Sequence, residues 1–271
     1  MALELTYNGN TNIPVEIEGI TPDILQQLSL AEIEQLRIFH GKDKCVLADF
    51  FRITGDASDL QMHLTGKLSG VHWIGTKMQG GSIIINGDCG RHLGSEMRGG
   101  TITVNGDAGD WIGGEMKGGL IHVHGNAGHQ VGAAYRGSER GMNRGTIIVD
   151  GNAGNEIGLT MRRGLIVIGG NAGDLIGFNM LAGTIMVFGS SGIRHGAGMR
   201  RGTIVFMGDD QPHLLPTFRQ AVKYQPEFMR VVLRKLAQNG FEVSDEALRA
   251  SYNLYHGDMI DGRRIKKKKN A

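Results

Sequence analysis

Gly106-Asp107-Ala108-Gly109-Asp110-Trp111-Ile112-Gly113-Gly114-Glu115-Met116-Lys117-Gly118-Gly119-Leu120-Ile121-His122-Val123-His124 is one copy of a unit that recurs down the middle of the chain. Its opening glycine returns as Gly87, Gly106, Gly125, Gly151, Gly170, Gly189 and Gly208, and its methionine as Met78, Met97, Met116, Met142, Met161, Met180 and Met199. The interval is 19 residues, except for one of 26 between Gly125 and Gly151. A fixed period of this length signals stacked coils rather than one globular core, because each unit buries its apolar side against its neighbours.

The end of each copy alternates as a strand does, for example Thr101-Ile102-Thr103-Val104-Asn105 and Thr184-Ile185-Met186-Val187-Phe188. Its second and fourth positions are apolar in every copy, so Ile102, Val104 and their counterparts point inward and form a column. The residue before the internal glycine (Ile74, Leu93, Ile112, Val131, Ile157, Ile176) gives a second column, and Ala108, Ala127, Ala153 and Ala172 a third. Three columns per turn predict an all-β core, a three-faced parallel β-helix of about seven coils stacked over roughly 33 Å. Asp88, Asp107, Asn126, Asn152, Asn171 and Asp209 each follow an opening glycine, and only Ser190 departs. Such side chains satisfy backbone groups at turns, and the asparagine copies rule out acid chemistry for the column as a whole.

Around the repeats the texture changes. Residues 1–65 read as a small α/β lead-in: Leu3–Tyr7 and Val15–Ile17 alternate like strands, and Leu25 through Ile38 has helical spacing. The repeats occupy 66–209. In the 210–271 extension, Phe228–Leu236 and Asp245–Leu254 read as helices able to blunt the open end of the stack, and a basic tail follows.

Bulk properties exclude several classes. Forty-four glycines in 271 residues is about twice the usual share, and the period accounts for most of them. A net charge of +2 argues against a nucleic-acid partner. With no apolar run of membrane-spanning length and no signal or lipidation motif, the expected place is the cytoplasm, away from membranes. Cys45 and Cys89 are too few for an iron–sulfur cluster, and nothing supports a disulfide between them.

The search for chemistry finds little. No phosphate-binding glycine loop stands between a strand and a helix. His122 and His124 share one face of a strand, with His129 close by, but a zinc site needs a third ligand, so no metal is assigned and the pair is read as partner-facing. His195 replaces the isoleucine before the glycine, which places it in or beside the last coil. Cys89 occupies the alanine position of its copy and reads as a packing residue, and no catalytic residue is assigned.

Two surface features remain. The residues after each methionine include Arg98, Lys117, Arg162 and Arg200, with Arg144, Arg163 and Arg201 one further on, so a basic stripe should climb one corner, partly paired with Glu96 and Glu115. The outward strand positions turn apolar late, at Leu165, Val167, Met186, Phe188, Val205 and Met207. These need a cover, from the C-terminal helices or from another protein, and they are assigned as partner-facing.

The repeats, with Gly-Asp-Ala-Gly-Asp-Trp-Ile-Gly at 106–113 and Gly-Asn-Ala-Gly-Asn-Glu-Ile-Gly at 151–158, resemble the family of C subunits of formylmethanofuran dehydrogenase. More distantly they resemble the glycine-repeat domain that ends the glutamate synthase large subunit. The resemblance implies a right-handed β-helix that serves as a non-catalytic subunit in one-carbon metabolism and binds the catalytic subunits of its complex. Two complexes carry such a subunit: the archaeal molybdenum or tungsten dehydrogenase, and the formyltransferase/hydrolase complex of methylotrophic bacteria, with its A, B and D subunits, used in formaldehyde oxidation. Modest charge and ten histidines suit a mesophile and hence the bacterial complex. In that family the methanofuran-type cofactor carries a polyglutamate chain, for which the resemblance suggests Arg162, Arg163, Arg200 and Arg201, together with Lys266, Lys267, Lys268 and Lys269 of the tail.

Overall fold

A computed structural model describes residues 2–257. The first segment carries β1 (Leu3–Tyr7), β2 (Val15–Glu16), the short helices α1 (Pro22–Leu25) and α2 (Leu30–Glu34), and strands β3 (Arg37–His40), β4 (Asp43–Val46), β5 (Phe51–Thr54) and β6 (Gln61–Thr65). After β7 (Val71–His72), each repeat contributes one strand: β8 (Ser82–Asn86), β9 (Thr101–Val104), β10 (Lys117–Val123), β11 (Arg144–Val149), β12 (Leu165–Ile168), β13 (Thr184–Val187) and β14 (Thr203–Phe206). The chain continues with β15 (Arg219–Tyr224), α3 (Glu227–Gln238), α4 (Asp245–Arg249) and β16 (Tyr252–His256).

Strands β8 to β14 lie in sequence order within one ten-stranded sheet, each parallel to the next and in register at the repeat interval. Ile102, Ile121 and Ile147 stand opposite one another and are fully buried, so the inward column expected from the period is present. Parallel strands normally return through a helix. Here the return is the rest of the coil, which pairs with its neighbours in its own right. Parallel bridges run from Leu68 through Cys89, Ala108, Ala127, Ala153 and Ala172 to Ser191. Gly94 N–H donates to the Ile74 carbonyl at 2.8 Å, and Gly113 N–H to that of Leu93 at 2.7 Å. The methionines form a further inward column, with Met78, Met97, Met116, Met142, Met161 and Met180 fully buried. The glycine after the isoleucine is required by packing as well as by backbone. Gly94 has φ +60°, and a Cβ there would come within 2.5 Å of Ile121 Cδ1 in the next coil.

The Asx column forms a hydrogen-bonded ladder up the corner. Asp88 Oδ1 accepts from Asp107 N–H at 2.9 Å, Asp107 from Asn126 at 2.6 Å, Asn126 from Asn152 at 2.9 Å, Asn152 from Asn171 at 2.7 Å and Asn171 from Ser190 at 2.8 Å. Ser190 ends it by donating to Asp210 at 2.6 Å.

The expected boundary at 65/66 falls between strands of one sheet, because β6 pairs in parallel with β8 on one side and β1 on the other. Antiparallel β5 closes that edge. Two helical expectations need correction. The segment 25–38 is not one helix: Ser29 and Glu32 form a capping box that starts α2 afresh, and Ile38 belongs to β3. The segment 245–254 is helical only to Arg249, since Ala250 is extended and Tyr252–His256 pairs antiparallel with β15.

Candidate functional site

The hydrogen bonds of the methionine column fix the basic stripe. Arg162 N–H donates to Met142 at 2.8 Å, Arg200 N–H to Met180 at 2.8 Å and Lys117 N–H to Met97 at 2.7 Å, so each residue after a methionine lies above its counterpart in the coil below. Leu181 and Ala182 separate Arg162 and Arg163 from Arg200 and Arg201, which places the two pairs about two strand spacings, roughly 10 Å, apart. The stripe is not uniform. In its lower part Lys117 pairs with Glu96 at 2.7 Å, and the Arg98 charge acts on the same carboxylate. Its upper part, Arg144, Arg162, Arg163, Arg200 and Arg201, has no ion pair among the described residues, and all but the half-buried Arg162 are exposed. Aligned cations without counter-charges raise the local potential and suit an anionic chain. The tail lysines Lys266, Lys267, Lys268 and Lys269 lie outside the described residues.

The apolar positions assigned to a partner are covered instead by the chain itself. Val167 and Met186 are fully buried and Val205 nearly so, in one cluster with Met229, Leu233 and Leu236 of α3 and with Phe241; Leu165, Phe188 and Met207 pack against the same cluster. Phe188 and Phe241 have ring centroids 4.9 Å apart, and Tyr252 Oη donates to Met207 Sδ at 3.3 Å. The cause is the spacing of Met229, Leu233 and Leu236, which gives α3 one apolar stripe matched to the outward column of the late coils. Helix α3 therefore lies along a side of the stack. At its end stands a cleft of about 600 Å³, lined by His195, Phe206, Asp209, Phe218 and Tyr255 among others.

The seven extra residues between Gly125 and Gly151 build a corner that the period does not reveal. Trp73, His92 and Trp111 occupy one column at left-handed φ of 63°, 63° and 57°, and their rings stack. Tyr135, from the longer coil, folds back onto them: its hydroxyl meets His92 Nδ1 at 3.0 Å and Ser95 Oγ at 2.5 Å. Burial, with the nearby His72 and Arg91 charges, pushes the His92 pKa down to about 4, and Asp110 opposes the shift. The imidazole is therefore neutral at pH 7. Tyr135 is pushed up to about 12, mainly by burial.

The remaining candidates separate cleanly. His195 is buried, its Nε2–H donates to the Gly192 carbonyl at 2.8 Å, and burial lowers its pKa. His129 replaces an Asx side chain: Asp110 accepts from His129 N–H at 2.8 Å, and His129 Nδ1 accepts from Asn155 N–H at 2.9 Å. Cys45 and Cys89 are both free thiols, and burial pushes Cys89 up to about 12, which leaves it a poor nucleophile. His122 and His124 do converge, with ring centroids 4.2 Å apart, and both meet Asp150: His122 Nε2 lies 2.8 Å from Oδ1 and His124 Nδ1 lies 2.7 Å from Oδ2. Asp150 is a residue that sequence reasoning missed, because it belongs to the coil on the far side of the insertion.

The model of the GXGXG motif family matches residues 73–226, more than half of the chain. The C subunit of the molybdenum-containing formylmethanofuran dehydrogenase 1 of Methanothermobacter marburgensis is 41% identical over 94 residues, 34% of this chain and 24% of that protein. The C subunit of the tungsten-containing formylmethanofuran dehydrogenase 2 of Methanococcus maripaludis is 36% identical over 92 residues, 34% of each. The chain thus spans a quarter to a third of the length of these curated relatives. Among solved structures, a chain of the formyltransferase/hydrolase complex (FhcABCD) of Methylorubrum extorquens, determined with methylofuran, is 34% identical, with a TM-score of 0.86 over 95% of both chains. The chain therefore belongs to the GXGXG motif family and, on identity held along almost its whole length, to the family of that Methylorubrum extorquens chain.

Proposed function

We propose that this chain is the non-catalytic structural subunit of a formyltransferase/hydrolase complex of the kind that passes a formyl group between tetrahydromethanopterin and a furan-containing cofactor and releases formate. The observation that carries this reading is the 34% identity over 95% of both chains with a member of such a complex. The archaeal dehydrogenase subunits share a comparable identity over only about a third of this chain. We read the coils as a right-handed, three-faced parallel β-helix, because parallel crossovers are right-handed almost without exception and the inward columns define the faces. A post of this kind suits the holding of catalytic A, B and D subunits. No helix among the described residues is long and apolar enough to cross a membrane, and we place the complex in the cytoplasm.

The unpaired upper part of the basic stripe is the natural seat for the polyglutamate chain of a methanofuran-type cofactor, with the tail lysines as a second contact. The test is to replace Arg162→Glu and Arg200→Glu together and to measure by mass spectrometry how much cofactor the purified complex carries through gel filtration. Retention should fall about tenfold, equivalent to about 1.4 kcal/mol. Unchanged retention in an intact complex overturns the assignment of the stripe, whereas failure of the unaltered chain to enter any such complex overturns the subunit reading.

A further inference from the structure

We propose that His122, His124 and Asp150 form a site for a divalent first-row transition ion, with Zn²⁺ the best match. Alternation along β10 puts both histidines on its outward face, and the parallel register that sets Val123 beside Val149 brings Asp150 beside His124 in the next coil. The carboxylate then straddles the pair, one oxygen to each imidazole, at 2.8 Å and 2.7 Å. One donor atom from each of the three residues lies within 4.8 Å of the other two.

Neighbouring coils show what this column does without ligands: Asn105 simply donates an amide hydrogen bond to Asn86 at 2.9 Å. Replacing that pair by histidine and aspartate, and adding a second histidine two residues back, creates a donor set of two imidazoles and one carboxylate. Such a set favours zinc and its transition-metal neighbours over magnesium or calcium. A tetrahedral ion with bonds of about 2.0 Å separates its ligand atoms by about 3.3 Å, so each present contact has to open by only about half an ångström. Surroundings hold the ligands in place. His122 is 5% exposed, and Gly240, at φ +86° just beyond α3, lies against it, so that a Cβ added there would sit in van der Waals contact, 3.8 Å from the imidazole Cε1. Asp150 and Gly240 both border a second cleft, whose other residues include Glu242, Ser244, Glu246 and Tyr252. Three protein ligands at the margin of a cleft leave a fourth position for water or an incoming anionic group.

The experiment uses the full chain, stripped with a chelator and then titrated with ZnCl₂ by calorimetry and with CoCl₂ by visible absorption. One ion per chain is expected, with a cobalt spectrum of tetrahedral intensity and a rise in thermal midpoint on adding zinc. Asp150→Asn, nearly isosteric and so the safer variant for folding, should weaken binding at least tenfold and abolish the thermal shift. His124→Ala should do the same, and His256→Ala, an exposed histidine on β16, should bind as the parent does. Absence of stoichiometric binding at micromolar zinc overturns the proposal. So does an Asp150→Asn chain that folds and binds zinc as tightly as the parent.

Discussion

In a stacked chain each residue answers to its counterparts above and below before it answers to any local preference. Cys89 illustrates this: it stands in a column of alanines, buried and bridged to Leu68 and Ala108, and it was legible as a packing residue from its place in the period alone. His129 was not, because a ring nitrogen accepting a backbone N–H in place of an Asx oxygen has no sequence signature. The same holds for Asp150, whose approach to His122 depends on how the longer coil returns to register. His92 carries a prediction at this scale. Its folded pKa of about 4 lies below the ordinary value near 6.5, so the unfolded chain binds the additional proton between these limits. Stability is therefore unaffected by this group above about pH 6.5 and declines as pH drops toward about 4. Thermal midpoints measured across that window should fall less steeply for His92→Phe, which keeps a ring in the stack, than for the parent. The lowered His72 and His195 leave a residual slope in both. Parallel pH profiles for the two proteins contradict the assignment.

At the scale of elements, the repeat strands were the most legible part, since alternation and period agree in every copy. The flanking elements were not, and for identifiable reasons. A capping box restarts α2 inside an apparently continuous helical pattern, and the aromatic run at 252–256 finds a strand partner in β15 that lies some thirty residues earlier. The outward apolar column of the late coils signalled correctly that a cover was needed, but whether the cover came from the same chain depended on where α3 docks. Leu233 sits fully buried at the centre of that contact. Leu233→Ala should cost about 3 kcal/mol in urea-induced unfolding, in the range for a buried leucine whose cavity does not fully collapse. It should also open residues 227–249 to limited proteolysis before the repeats are cut. A loss below about 0.5 kcal/mol, with α3 still protected, shows that the helix is not the cover described.

For the molecule as a whole, the coils form one buried core that runs from Leu3 to Met199 without a break, and each strand pairs only with its neighbours, while Tyr135 of the longer coil reaches back across more than one coil. Its two ends are treated differently. Antiparallel β5 closes the sheet beside β1, while Phe218 and the cleft beneath β15 and β16 occupy the far end. Such a body offers long flanks, one of which carries the arginines that have no ion pair among the described residues. The proposed division of labour, a post that holds others while they do the chemistry, is the central claim. It is tested most directly by affinity purification of the full chain from cells that make it, with mass spectrometry of everything retained and a formyl-transfer and formate-release assay on the chain alone and on the assembly. The account predicts stoichiometric recovery of hydrolase and transferase subunits, with turnover confined to the assembly. A chain that purifies alone, or that turns over substrate without partners, contradicts it.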